Sequence, residues 1–153
     1  MRIIDLFSGV GGLTFGFYYR KYKDHFVRNR KNQFVFANEY NPFAAKAYSE
    51  NYPDIPMKNC DIKSLKESDI RKWIGSEPVD LIIGGPPCQS FSTVGQRNYD
   101  EKAQLYTEYL RVLKIARPKM FLFENVRGIL SMREIFYKRD AAGNILYELK
   151  DVE

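Results

Sequence analysis

The chain holds one histidine and two cysteines in 153 residues. Cys60 and Cys88 are too few for a disulfide framework, and with His25 alone they do not make up a zinc site. A reducing compartment is therefore expected. No apolar run approaches the roughly 18 residues of a membrane span, and the apolar stretch of Met1–Phe7 is too short for a signal peptide. Repeats, low-complexity tracts and linkers are missing as well. The remainder reads as one soluble globular domain, with 44% hydrophobic and 28% charged residues. A net charge of +5 suits a polyanionic partner.

Short apolar runs alternate with helical patterns. Arg2–Leu6, Gln33–Ala37, Val79–Ile83 and Met120–Phe123 read as strands. An amphipathic stretch from Leu13, Pro42–Tyr52 behind Asn41, and Ala103–Arg117 before Pro118 read as helices. This rhythm predicts right-handed βαβ units and an α/β fold with a doubly wound, mostly parallel sheet. Two segments depart from it. The basic stretch Arg20–Lys31 reads as a solvated helix face and loop, with nucleic-acid contact as the alternative. Asp140–Asn144 reads as a turn between two amphipathic pieces.

Chemistry gathers where strands end. Asp5-Leu-Phe-Ser-Gly9-Val-Gly11-Gly12 leaves a strand and opens a helix, and its glycines let a ligand approach the backbone. It is not a dinucleotide fingerprint, because the third glycine would fall at position 14, which is Thr. Glu39 sits where such folds keep an acid for ribose hydroxyls, or else is an exposed helix-entry carboxylate. Asp61 is a second acid near that edge, or the N-cap of Ile62–Leu65. Gly84-Gly-Pro-Pro-Cys88 fixes a rigid loop presenting one thiol, and a nucleophile needs such a hold. With His25 in the basic stretch, cysteine-protease chemistry is disfavoured. Glu124 follows the Met120–Phe123 strand, at the sheet edge of Cys88, where a partly desolvated carboxyl serves as hydrogen-bond donor or general acid.

Asp5–Gly12, Asn38-Glu-Tyr-Asn41, Asp61-Ile62, Gly85-Pro-Pro-Cys-Gln-Ser-Phe-Ser92 and Phe123-Glu-Asn-Val126, in this order, resemble the cytosine-5 DNA methyltransferases. The resemblance runs from Arg2 to about Leu130 and implies the Rossmann-like fold of S-adenosylmethionine-dependent methyltransferases. It implies S-adenosyl-L-methionine as cofactor, leaving as S-adenosyl-L-homocysteine. Phe7, Gly9, Gly11 and Gly12 would bind it, with Glu39 on the ribose, Tyr40, Asp61 and Ile62 at the adenine, and Pro86 and Leu105 lining the methyl-donor pocket. Cys88 would be the nucleophile at cytosine C6, and Glu124 would contact N3 of the base. Gln89, Ser90, Ser92, Arg97, Asn125 and Val126 would contact the DNA. No metal is implied.

The implied partner is double-stranded DNA with a flipped cytosine, in a bacterial restriction–modification setting, in the cytoplasm with the nucleoid and not at a membrane. An RNA cytosine methyltransferase and a non-catalytic subunit of a split methyltransferase are the alternatives. The chain departs from the family at Cys60, where Gly is common, and has no Gln-Arg-x-Arg run after Leu130. The expectation is therefore a partial catalytic domain over 1–153. The target-recognition region and carboxyl-terminal part would lie elsewhere, including on a separate chain, and these residues alone would be nearly inactive.

Overall fold

The computed structural model describes residues 1–87 and 105–125, and the backbone of two strands at 133–139 and 145–151. It divides into two compact units, Met1–Pro86 with Leu105–Glu124, and Pro87–Gln104 with Asn125–Glu153. In the second unit, β8 (Arg133–Arg139) and β9 (Ile145–Asp151) pair antiparallel, from Arg133 opposite Asp151 to Arg139 opposite Ile145. The turn expected at Asp140–Asn144 lies outside the described residues.

The first unit is built on a parallel five-stranded sheet. Its strands are β1 (Arg2–Leu6), β4 (Gln33–Glu39), β5 (Met57–Asn59), β6 (Leu81–Gly84) and β7 (Met120–Phe123), in the order β5-β4-β1-β6-β7. β1 is flanked on both sides, by β4 and β6, and buries Ile3, Ile4 and Leu6 completely, so this apolar run needs both sheet faces covered. Helices α1 (Gly12–Tyr18) and α2 (Pro42–Asn51) accompany a core of Ile3, Phe34, Tyr48 and Ile83. Helices α3 (Glu67–Ile74) and α4 (Leu105–Ala116) contribute Ile70, Tyr109 and Val112 to a second core with Ile4, Phe36 and Ile82. Strand order reverses beside β1, and open α/β sheets bind ligands beyond the carboxyl ends of strands at such a reversal.

The α/β doubly wound expectation stands, and the basic stretch is corrected. It is a β-hairpin, not a helix face: β2 (Tyr19–Tyr22) pairs antiparallel with β3 (His25–Arg28) across a turn at Lys23-Asp24. Lys21 opposite Phe26 and Tyr19 opposite Arg28 share one face, and the rings of Tyr19 and Phe26 lie 5.2 and 5.1 Å from Phe15 of α1. Those aromatic contacts make the strand pair preferable to a continued helix. The other strands and helices fall within a few residues of their expected positions. The short β5 and the whole of α3 were not anticipated.

Candidate functional site

Five chain segments reach the carboxyl edge of the sheet, and each carries residues singled out by sequence. β1 delivers Phe7 and the glycine loop. Phe7 is half-buried and adopts φ 55°, a conformation few side chains accept outside tightly determined loops. Gly9 and Gly11 continue the left-handed backbone at φ 54° and 96°. At Gly11 a side chain would run into the Tyr52 ring, whose hydroxyl donates to the Gly11 carbonyl at 2.8 Å. Loop and α2 are thereby pinned together.

β4 delivers Glu39, and its carboxylate is held from two sides. Gly9 N–H donates to Oε2 at 2.8 Å and Asn41 N–H to Oε1 at 2.7 Å. A carboxylate offers about four lone-pair sites, so each oxygen keeps acceptor capacity toward a ligand. Tyr40 follows with its ring 74% exposed, and Asn59 Nδ2 holds the carbonyls of Glu39 and Tyr40 at 2.8 and 3.1 Å. Asn38, 2% exposed, similarly ties the carbonyls of Lys58 and Cys60 at 2.9 and 3.0 Å.

Asp61 caps a short 3-10 turn, Ile62–Ser64, by accepting from Lys63 N–H at 2.9 Å. One of its carboxylate oxygens thus has a structural role while the other stays open. The Ile62 side chain lies in the core, 3% exposed, and its carbonyl accepts from Arg111 at 2.9 Å and from Leu65 N–H at 3.1 Å. Pro86 is buried after β6, and Leu105 is half-buried at the start of α4 against the core.

Glu124 leaves β7 beside β6, with its N–H bonded to the Gly84 carbonyl at 2.9 Å. A β-carbon on Gly85 would lie 2.7 Å from Glu124 Oε2, so the glycine leaves room for the carboxylate. Glu124 is exposed, and the described residues do not provide the partial desolvation expected for it. Asn125 is half-buried next to it in sequence. Cys88, Gln89, Ser90, Ser92, Arg97 and Val126 lie outside the described residues.

A buried polar chain beneath the loop escaped sequence reasoning. Asp5, 1% exposed, accepts a hydrogen bond from Thr14 Oγ1 through Oδ2. Thr14 having spent its proton, Tyr48 donates to it, at 2.8 Å. Burial pushes the Asp5 carboxyl up to about 7, against the lowering pull of Thr14, and the charge of Glu39 adds to the rise. Asp5 Oδ1 and Ser8 Oγ have no partner and are the two such buried side-chain atoms among the described residues. The faint signal for this chain was an acid inside an otherwise apolar strand. Among the described residues no cluster of side chains could hold a metal ion, and no helix is long and apolar enough to cross a membrane.

Comparison with known proteins agrees with this fold. A Type II methyltransferase, M.AgeI of Thalassovita gelatinovora, is 42% identical over 86% of the chain, and M.DdeI of Desulfomicrobium norvegicum is 40% identical over 87%. The matched part spans only 29% of each of these relatives. Among solved structures, a DNA modification methyltransferase encoded within an E. coli prophage superposes with a TM-score of 0.67 at 34% identity, covering 85% of this chain and 33% of that one. DNMT2 of Spodoptera frugiperda follows at TM-score 0.58 and 26% identity, over 83% of this chain and 36% of that one. Residues 1–152 match the description of C-5 cytosine-specific DNA methylases, and the chain belongs to that family.

Proposed function

We propose that these residues form the cofactor-binding and nucleophile-bearing part of an S-adenosylmethionine-dependent DNA (cytosine-5-)-methyltransferase of a restriction–modification system. The observation that carries this reading is the doubly held Glu39 carboxylate beside a glycine loop, with Glu124 at the same sheet edge. The loop fits the cofactor: β-carbons on Gly9 or Gly12 would meet nothing within 4 Å, so the backbone faces open space. The two unfilled sides of Glu39 suit a ribose diol, and the exposed Tyr40 ring suits a planar base. When bound, the cofactor supplies an electrophilic methyl group.

Cytosine C5 is a poor nucleophile unaided. Addition of the Cys88 thiolate at C6 turns the ring into an enamine whose C5 can attack. Glu124 assists by hydrogen bonding to or protonating N3, where the ring gains charge. Once C5 carries the methyl group, a solvent-derived base takes the C5 proton, the C6–S bond breaks to release the cysteine thiolate, and aromaticity is restored. The target base leaves the duplex to meet these groups. We assign target recognition and completion of the pocket to polypeptide beyond these residues.

A duplex with 5-fluorocytosine at the target position, incubated with S-adenosylmethionine and these residues joined to the polypeptide that completes the pocket, is expected to give a denaturation-resistant adduct. Fluorine blocks the final elimination, and Cys88→Ser abolishes the adduct. Adduct formation on tRNA but not on duplex DNA, or its survival in Cys88→Ser, would overturn the assignment.

A further inference from the structure

The net charge of the chain is not spread over it. Residues 19–31 hold six basic side chains against the single acid Asp24, a net +5 that equals the charge of the whole protein. The other residues are neutral in sum. The β2–β3 hairpin carries most of this charge and is firmly rooted. The Arg28 guanidinium bonds to the carbonyls of Asn29 and Asn32 at 2.6 and 3.1 Å, pairs with Asp54 at 3.0 Å, and lies 3.8 Å over the Tyr18 ring. The remaining five cations, Arg20, Lys21, Lys23, Arg30 and Lys31, form no side-chain ion pair among the described residues. Arg20 and Lys23 flank the half-exposed ring of Tyr22, at 5.8 and 5.9 Å from its centroid. Arg20 and Lys23 are thus held beside an aromatic, and none of the five meets a counter-charge among the described residues.

We propose that this hairpin is a second DNA-binding surface, one that grips the phosphate backbone of a duplex without regard to sequence. The choice of DNA over other polyanions rests on the methyltransferase reading. A two-stranded ribbon is narrow enough to enter the major groove, whose walls are lined with phosphates. The hairpin leaves from the amino-terminal edge of the sheet, where the Met1 ammonium bonds to the Lys31 carbonyl at 2.7 Å. The glycine loop and Glu124 stand at the carboxyl edge, a strand length of about 17 Å away. Contacts so placed engage DNA independently, so the ribbon raises affinity for any duplex while the opposite edge acts on one base.

The test is fluorescence anisotropy of the chain with a labelled non-target duplex from 50 to 200 mM salt, comparing wild type with Lys21→Gln/Lys23→Gly/Arg30→Gln. Glycine suits position 23, where φ is 52°. Each lost phosphate contact removes roughly 0.9 from the slope of log K against log salt. The variant is therefore expected to bind tenfold or more weaker at about 100 mM salt, with a slope shallower by about 2–3. Lys21→Arg/Lys23→Arg keeps the affinity, and thermal midpoint and cofactor titration stay unchanged in both. Unchanged affinity and slope in the neutral variant, a wild-type slope near zero, or tighter binding to an acidic peptide than to duplex DNA would overturn the proposal. Failure of the Cys88 adduct with these results intact would instead strike the methyltransferase reading.

Discussion

Asp5 shows how one buried atom ties the glycine loop to pH. The titratable groups facing it are Glu39 from β4, Tyr48 from α2, Tyr52 just after α2, and Tyr109 from α4, with no cation among them. Nothing offsets the loss of solvation, so the carboxyl stays protonated until about pH 7 in the folded chain, against 3.8 for an ordinary carboxyl. Between those values the folded protein retains a proton the unfolded chain has released, so stability falls as pH rises and levels off above 7. The shift corresponds to a loss of order 4 kcal/mol at most. Asp5→Asn keeps the shape and stays neutral, which removes this dependence. Thermal unfolding at pH 5 and pH 8 is expected to show a drop in wild type that is much reduced in the variant. Equal drops would mean that another group titrates.

Helix α2 is where sequence and structure agree most closely, and the agreement is mechanistic. Asn41 Oδ1 accepts from the N–H groups of Phe43 and Ala44 at 2.9 and 3.3 Å, and Pro42 occupies the first turn, where its missing N–H is harmless. Asn41→Ala is expected to cost about 1 kcal/mol. The cap fixes the backbone whose Asn41 N–H holds Glu39, so loosening the helix start should lower cofactor affinity as well, while Asn41→Asp restores both. Calorimetric melting with a parallel cofactor titration checks this, and loss of stability at constant affinity would separate cap from site. Other elements left weaker traces. β5 is three residues long, Met-Lys-Asn, with no apolar alternation to see. α3 follows Lys66, which makes no side-chain cap, so its start lacks a capping residue although Glu67 and Asp69 sit in the first turn and Ile70 and Trp73 follow helical spacing. The hairpin turn Lys23-Asp24 lacks the glycine or asparagine that marks such turns, and its strands read as charge instead of pattern. At the candidate site, the placement of Phe7, the glycines, Glu39 and Glu124 at strand ends was legible because strand ends and special backbone leave residue-type signatures. Asn38, Asn59 and the Thr14–Tyr48 chain were not, since a single polar side chain tying a distant carbonyl or carboxyl has no local pattern.

Among the described residues of the first unit, the sheet is well covered at its centre and less so at one side. There β7 pairs with β6 alone, and Met120, Phe121 and Leu122 are 54%, 61% and 37% exposed. An apolar edge strand with open backbone groups is a template for pairing with another chain. The opposite edge differs: β5 is short and polar, which blunts it. Self-association of the 153-residue chain should therefore run through β7. Phe121→Lys places a charge on that edge and removes little buried surface, so it should leave the thermal midpoint within about 0.5 kcal/mol of wild type in stability terms. Light scattering at raised protein concentration is expected to fall in this variant, whereas the same substitution at Phe43, 83% exposed beside the candidate site, should leave scattering as it is. Equal scattering from wild type and Phe121→Lys would place the sticky surface elsewhere. An equal fall in both variants would make added charge, not the β7 edge, the cause.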